Sequence, residues 1–246
     1  MMKKLSLLLV FLISITINGH AQDIIKTVEG DIIIQPITHG TLVLTFNNKT
    51  IYIDPYGGAQ SFDGIVKPDF ILITDIHNDH LNIKTLEGLN TKKTQFIVPK
   101  AVADKMPEKY KKQLTILNNN QSIHRSGLYI SAIPMYNLPE DEESRHPKGR
   151  GNGYIINMGG KNIYISGDTE DISEMRNLRD IDVAFICMNL PYTMDIYQAS
   201  SAVLEFKPTI IYPFHYRGAD VDAFKKIVND GDKSIDIRLR DWYPNK

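Results

Sequence analysis

Short apolar runs rich in Ile, Val, Leu and Tyr recur from about Asp23 onward, and no other feature constrains the fold as strongly. Each run has the length and the β-branched content of a β-strand. We predict twelve strands: DIIIQPI, TLVLTF, TIYIDP, DFILIT, TQFIVP, QLTILN, LYISAIP, GYIINM, KNIYISG, DVAFICM, PTIIYPF and SIDIRL. A chain of 246 residues with this pattern is predicted to be rich in β-sheet and to bury a substantial core.

Stretches of helical character separate several of these strands, and they favour a layered α/β (α+β) structure over a pure β-sandwich. They are NIKTLEGL, AVADKMPEKYKK, DISEMRNL, IYQASSAVLEF and ADVDAFKKIV. The sequences NNK at 47–49 and MGGK at 158–161 each separate two strand runs and are typical of β-hairpin turns.

The first 21 residues have a different character from the rest. Two lysines precede the apolar run at 5–17, and the small residues Gly19 and Ala21 follow it, which is typical of a secretory signal peptide. The run is shorter than the roughly 20 residues that span a bilayer. We therefore predict a signal peptide over 1–21, one domain over 22–246, and a periplasmic or secreted product without a stable membrane anchor.

Charge and cysteine content narrow the function only slightly. The 28 basic and 29 acidic residues give a net charge of −1, so the overall balance does not indicate a nucleic-acid partner. No heptad repeat is visible, and a small-molecule substrate is the predicted partner, with no prediction about oligomeric state. Cys187 is the only cysteine and lies within an apolar strand run, which predicts a buried, inert thiol.

Four potential metal ligands lie within six residues, directly after the apolar run FILIT. They are Asp75, His77, Asp79 and His80 in the stretch TDIHNDH. In extended backbone, residues two apart project to the same side, so Asp75 and His77 can converge on one point while Asp79 and His80 reach another. Imidazole and carboxylate groups bind divalent metal ions well. Four such polar groups are unsuited to a hydrophobic core because burying them is costly. The stretch predicts one or two divalent metal ions, with Zn²⁺ the first choice and Mn²⁺ or Fe as alternatives.

Further ligands are expected where other apolar runs end. Asp168 follows NIYISG, His215 follows IIYPF, and His146 lies in the segment 136–153, which is too long for a simple connection. Asn137 is the rival of His146, which we favour because imidazole binds transition metals better than a carboxamide does.

Two other histidines are expected to be structural. His39 precedes a strand and could at most support a ligand, and His124 has no motif around it.

These residues resemble the metallo-β-lactamase superfamily. TDIHNDH is similar to its His-x-His-x-Asp-His signature, SGDT to the strand end of its bridging aspartate, and PFHY to its last histidine. The match runs from ITHGTLVL to YPFHYRG, and YNL, HPKGRGNGY, YISGDTED and MNLPYTM resemble the branch with the ascorbate-6-phosphate lactonase-like hydrolases. The resemblance implies a four-layer αββα sandwich with a metal site at one edge.

The resemblance also implies roles for the candidate ligands. The first metal would take His77 and His146, the second would take Asp79, His80 and His215, and Asp168 would bridge them. Asp75 occupies the place of the first histidine, where an oxygen favours Mn²⁺ or Fe over Zn²⁺ or weakens the site until one ion binds. Asp79 and Asp168 are the predicted catalytic residues, with Asp79 orienting the nucleophile or carrying its proton.

The predicted function is metal-dependent hydrolysis of a small ester, lactone or phosphodiester. Arg145, Lys148 and Arg150 surround His146 and are compatible with an anionic substrate group, with a solvated basic loop as the alternative. The resemblance places Tyr192, Tyr216 and Arg217 along the pocket, although aromatic residues there could equally be packing. Two other functions stay open: an exported metal- or ligand-binding protein, and an iron-dependent redox protein on the same fold.

Overall fold

A computed structural model describes residues 22–244, so the predicted signal peptide lies outside the described residues. Within this range the strands form two seven-stranded mixed sheets. The first sheet contains β1 (Asp23–Thr27), β2 (Gly30–Thr38), β3 (Thr41–Phe46), β4 (Lys49–Ile53), β5 (Phe70–Leu72), β6 (Gln95–Val98) and β7 (Leu114–Ile116). The second contains β8 (Ser122–Arg125), β9 (Leu128–Met135), β10 (Gly151–Met158), β11 (Lys161–Ile165), β12 (Val183–Cys187), β13 (Ile210–Phe214) and β14 (Asp236–Ile237).

The described helices are short and lie on the outer faces of the sheets. They are α1 (Ile83–Gly88), α2 (Lys100–Lys105), α3 (Ser173–Arg176), α4 (Ile196–Phe206) and α5 (Val221–Gly231). None of the helices between residues 22 and 244 is long and apolar enough to span a membrane.

Side-chain alternation in the first sheet produces two separate cores. Leu42 and Leu44 of β3 point towards the second sheet, whereas Val43 between them packs with α1 and α2 on the opposite face. The second sheet also packs against α3, α4 and α5, and every residue of β12 is buried. The layers are therefore helix, sheet, sheet and helix, which confirms the predicted αββα sandwich.

Both sheets follow the same plan. In the first, β1 to β4 are antiparallel neighbours and β4 to β7 are parallel; in the second, β8 to β11 are antiparallel and β11 to β14 are parallel. The parallel strands end at a common edge of each sheet, and loops at such an edge are where distant side chains can meet.

All twelve predicted strands are present, and the described residues contain two more. The strands β1 and β8 were not predicted because neither has a regular apolar face: β1 buries only Ile25, and β8 is largely exposed. The predicted helix AVADKMPEKYKK is interrupted at Pro107, which cannot continue an α-helix, so α2 ends and a 3-10 helix over Glu108–Gln113 follows. Both predicted hairpin turns are confirmed.

Candidate metal centre

The candidate ligands lie in loops that follow the strand ends at the shared edge. Asp75, His77, Asp79 and His80 follow β5, Asp168 follows β11, and His215 follows β13. His146 lies between β9 and β10. The structure brings all seven predicted ligands to one place, in the groups Asp75–His77–His146, His80–Asp168–His215 and His39–Asp79–His215.

Asp168 occupies the centre of this cluster. Its carboxylate lies 3.1 Å from His80 Nε2, 3.2 Å from His146 Nε2 and 3.3 Å from His215 Nε2. Burial alone would raise the pKa of Asp168, but charge on His215 and His80 holds that pKa well below the usual value. Asp168 is therefore ionised at neutral pH and faces both predicted metal positions, as a bridging ligand would.

His80 is oriented by a carboxylate that we did not predict from the sequence. Asp54 Oδ2 lies 2.8 Å from His80 Nδ1, and the backbone and hydroxyl of Thr74 both donate to the same carboxylate. This contact leaves His80 Nε2 directed at Asp168. Burial lowers the pKa of His80, but Asp168 and Asp54 outweigh it and raise that pKa well above its usual value. A carboxylate that supports a ligating histidine in this way fixes the ring and makes it more basic.

His39, which we expected to be structural and at most to support a ligand, contacts the candidate ligands Asp79 and His215 directly. Its Nε2 lies 3.1 Å from Asp79 Oδ2, and its ring centroid lies 3.7 Å from that of His215, with the two rings tilted by 33°. Its other nitrogen lies 2.7 Å from the hydroxyl of Tyr243, and its backbone N–H donates to Trp242 O. Burial lowers the pKa of His39 to about 4, so the ring is neutral at pH 7.

Asp75 differs from the other carboxylates of the cluster because it forms an ion pair with an arginine. Arg150 donates from Nε and Nη2 to the two oxygens of Asp75, each at 3.0 Å. His77 Nδ1 lies 2.6 Å from Asp75 Oδ2. Burial opposes ionisation, but His77, His80 and Arg150 lower the pKa of Asp75 to about 2. The side chain is thus an anion that is already paired.

His146 and Asn137 take different positions. His146 is fully buried and directs Nε2 at Asp168, whereas Asn137 Oδ1 accepts from the His146 backbone N–H and lies 3.0 Å from its Nδ1. Asn137 therefore holds His146 in place, and the imidazole is the group that faces the metal position. The side-chain amide of Asn137 also donates to Tyr192 O, and this hydrogen bond connects the loop after β9 with the loop after β12.

Strained backbone is concentrated at this edge. His39, Asp54 and His215 have positive φ angles of 53°, 44° and 47°. Non-glycine residues rarely adopt this conformation, and it persists where the surrounding structure enforces it, often at functional sites. Gly40 allows a close approach as well, because a Cβ there would lie 3.1 Å from His215 Cδ2.

The donor set fits divalent metal ions. Among residues 22–244, several buried ligand atoms have no hydrogen-bond partner: His77 Nδ1, His80 Nε2, His146 Nε2, Asp168 Oδ1 and both ring nitrogens of His215. Buried polar atoms normally find partners, and these atoms approach one another without the alignment of hydrogen bonds. Imidazole nitrogens and carboxylate oxygens that converge in this way are ligands for Zn²⁺, Mn²⁺ or Fe.

A cavity of about 120 Å³ opens beside the cluster. It is lined by His39, Asp79, Arg145, Asp168, Asn189, Tyr192, His215 and Arg217. The guanidinium of Arg145 stacks 4.4 Å from the ring of Tyr192. Tyr216 is not among the lining residues; its ring packs 5.1 Å from Tyr243, so this residue is packing.

Cys187 has no part in this cavity. It is a free, fully buried thiol, and burial raises its pKa to about 12. The sequence-based expectation of an inert cysteine is confirmed.

Comparison with known proteins agrees with the geometry. Residues 33–215 match a family model described as a β-lactamase superfamily domain. A proposed metal-dependent hydrolase from Parabacteroides distasonis has a solved structure with 36% identity and a TM-score of 0.82, covering 90% of this chain and 98% of that one. A UPF0173 metal-dependent hydrolase of Pyrococcus abyssi is 29% identical over 212 residues, which are 78% of this chain and 90% of that protein.

A more distant structure supports the fold alone. It is Igni18, a metallo hydrolase from Ignicoccus hospitalis, with 24% identity and a TM-score of 0.72 over 85% of this chain and 95% of that one. The predicted resemblance to the superfamily is confirmed, and the predicted metal dependence agrees with it. This chain belongs to the metallo-β-lactamase superfamily and is one of its metal-dependent hydrolases.

Proposed function

We propose that the protein hydrolyses a small anionic ester, lactone or phosphodiester in the cavity beside the ligand cluster. The observation that carries this proposal is a pair of arginines at the cavity, Arg145 and Arg217. Both are exposed, and neither has a carboxylate partner within 4.0 Å among residues 22–244. The other two basic residues of the His146 loop are paired, Lys148 with Glu140 and Arg150 with Asp75.

An anion is the ligand that these arginines favour. Guanidinium groups form strong, charge-assisted hydrogen bonds with carboxylates and phosphates. Asp79 and Asp168 line the same cavity as the two arginines. The cavity therefore has an acidic side that suits metal ions and a basic side that suits a substrate anion. The cavity volume of about 120 Å³ supports a small substrate.

The chemistry follows from the ligand set, with Zn²⁺ as the proposed metal. A divalent ion held there supplies a water of lowered pKa and polarises the bond under attack. Asp79 has a partly exposed side chain, and His215 and His39 outweigh the effect of burial and lower its pKa. Asp79 lines the cavity beside the ligand cluster, and this position supports its proposed role in orienting the nucleophile or carrying its proton. His39 holds Asp79 in position through the 3.1 Å contact.

A matched substrate panel tests the substrate class. Each pair comprises an ester, lactone or phosphodiester analogue with an anionic group and its neutral counterpart. The anionic member is expected to be preferred, and Arg145→Met or Arg217→Met is expected to raise its KM about 10- to 100-fold, as loss of a charge-assisted hydrogen bond does. The KM of the neutral member should stay nearly constant.

Lys148→Met is the matched control, because Lys148 lies in the same loop but is paired with Glu140. It is expected to leave both KM values nearly unchanged. A preference for neutral substrates, or equal effects of Lys148→Met and Arg145→Met, would overturn the anionic assignment.

We also propose that the protein is exported. The basic residues before the apolar run at 5–17 and the small residues at 19 and 21 support this proposal. N-terminal sequencing of the protein from intact cells is expected to begin at Gln22. A start at Met1 in a cytoplasmic fraction would contradict it.

A further inference from the structure

The two main ligand groups have opposite electrostatic surroundings. His80–Asp168–His215 has Asp79 near His215 and Asp54 behind His80, so three carboxylates surround two imidazoles that face the metal position. Asp75–His77–His146 contains one carboxylate of its own, which Arg150 neutralises, and it shares Asp168, which lies 3.2 Å from His146 Nε2. Among the described residues, no arginine or lysine contacts Asp79, Asp168 or Asp54 within 4.0 Å.

Arg150 takes up acceptor positions on both carboxylate oxygens of Asp75. Its two donors take one position on each carboxylate oxygen, and His77 Nδ1 lies against one of those oxygens. Asp75 is completely buried, so no solvent competes with the arginine for it. A cation that bound Asp75 would have to share the carboxylate with a fixed guanidinium.

Arg150 is itself held in place by the backbone around it. Its Nη2 donates to Arg145 O at 2.5 Å. The start of β10, which follows Arg150, is held against the residue before Asp75 because Asn152 N donates to Thr74 O at 2.9 Å. Gly151 makes this approach feasible, since a Cβ there would lie 2.8 Å from Thr74 O. The arginine is therefore built into the junction between β10 and the loop that starts at Asp75.

We propose that Arg150 sets the metal stoichiometry of this enzyme by placing a fixed positive charge at the position of Asp75. One divalent ion binds tightly to His80–Asp168–His215 with Asp79. The group Asp75–His77–His146 binds a second ion much more weakly as long as the positive charge of Arg150 is present. Metal number does not depend on the substrate class, so a measurement of one leaves the other open.

Zn²⁺ binding by calorimetry, with metal content after dialysis against buffered Zn²⁺, tests the proposal on the folded protein. The wild type is expected to retain about one equivalent, with a second binding step at least about tenfold weaker, as expected for a cation next to a fixed positive charge. Arg150→Met is expected to retain two equivalents and to strengthen the second step at least about tenfold.

A second pair of variants keeps the test decisive if Arg150→Met does not fold because Asp75 is left unpaired. Asp75→His is expected to bind one equivalent tightly while Arg150 is present, and Asp75→His/Arg150→Met is expected to bind two. Circular dichroism verifies folding of each variant, and Co²⁺ absorption spectra report the second coordination site directly.

Arg240→Met is the matched control. Arg240 forms an equivalent two-donor pair with Asp23 outside the ligand groups, so its loss should leave the metal count at one. Two Zn²⁺ sites of equal affinity in the wild type would overturn the proposal. So would an unchanged count in both variants that lack Arg150, or two tight sites in Asp75→His alone.

Discussion

The ligand groups Asp75–His77–His146 and His80–Asp168–His215 are built from the same residue types, yet different partners stand behind them. A carboxylate, Asp54, orients His80, whereas a neutral amide, Asn137, orients His146. Among the described residues, histidines are the only basic side chains within 4.0 Å of the ionised Asp168 carboxylate, while Asp75 is paired with Arg150. The difference teaches that ligand identity alone does not define a metal site, because the charge behind each ligand determines how strongly it binds a cation.

The largest expected effect comes from removing the residue that the two groups share. Asp168 lies within 3.3 Å of histidines from both, so Asp168→Ala is expected to remove bound metal and to lower kcat/KM about a thousandfold or more. Asp79→Ala is expected to cause a similar loss of rate. Metal content and initial rates check both variants, with the surface variant Asp236→Asn as control. Full activity in either variant would contradict the assignment of these carboxylates.

The next largest effect is on metal content, and it distinguishes the two ligand groups. His80→Ala is expected to abolish the tight metal site, whereas His77→Ala is expected to keep about one equivalent, because His77 belongs to the group that Arg150 weakens. Both variants should be compared by metal content at the same buffered Zn²⁺ concentration. Equal losses would show that the two groups contribute equally and would remove the asymmetry.

A smaller effect is expected from the residues behind the ligands. Asp54→Asn is expected to weaken the tight site about 10- to 100-fold, since it removes the charge that orients His80. Asn137→Ala is expected to change that site less than Asp54→Asn does, because it supports His146 on the other side of Asp168. Competition with a chromophoric chelator gives both affinities. The reverse order of effects would contradict the comparison.

The smallest expected effect is on the free energy of unfolding and concerns the Asp23–Arg240 ion pair, which lies outside the ligand groups. Burial raises the pKa of Asp23, but Arg240 and Tyr212 outweigh it and lower that pKa below 3.8. The folded state therefore favours the ionised form, so the stabilisation is present above about pH 3.8 and is lost as the pH falls through the lower folded value.

Asp23→Asn is expected to lower the free energy of unfolding by about 1 kcal/mol at pH 7. Urea unfolding at several pH values should show the difference from the wild type shrinking below about pH 3.8. A difference that does not depend on pH would mean that the charge of Asp23 is not what stabilises the fold.

Local sequence patterns were sufficient for the fold and for most candidate ligands. The apolar runs mark the strands because burial and pleat act residue by residue, and a motif such as TDIHNDH is contained within one loop. Asp54 comes directly after β4 and Asp168 comes shortly after β11, so the rule that identified Asp168 could also have identified Asp54. The sequence carried that signal although we did not use it.

Other features of the site depend on contacts between distant parts of the chain. Arg150 pairs with a residue 75 positions earlier, and His39 is fixed by Tyr243, which is 204 positions later. No local periodicity encodes such contacts. The basic loop illustrates the limit: its three basic residues look equivalent in sequence, but one pairs with Glu140, one with Asp75, and one lines the cavity.

The contacts that hold His39 come from the last part of the described chain. Trp242 and Tyr243 supply a backbone acceptor and a hydroxyl to His39, and Tyr243 accepts from the Arg217 backbone N–H beside His215. All the candidate ligands are synthesised before this segment. A nascent chain that has reached residue 230 thus possesses every candidate ligand but lacks the contacts that fix His39, and through His39 the carboxylate of Asp79.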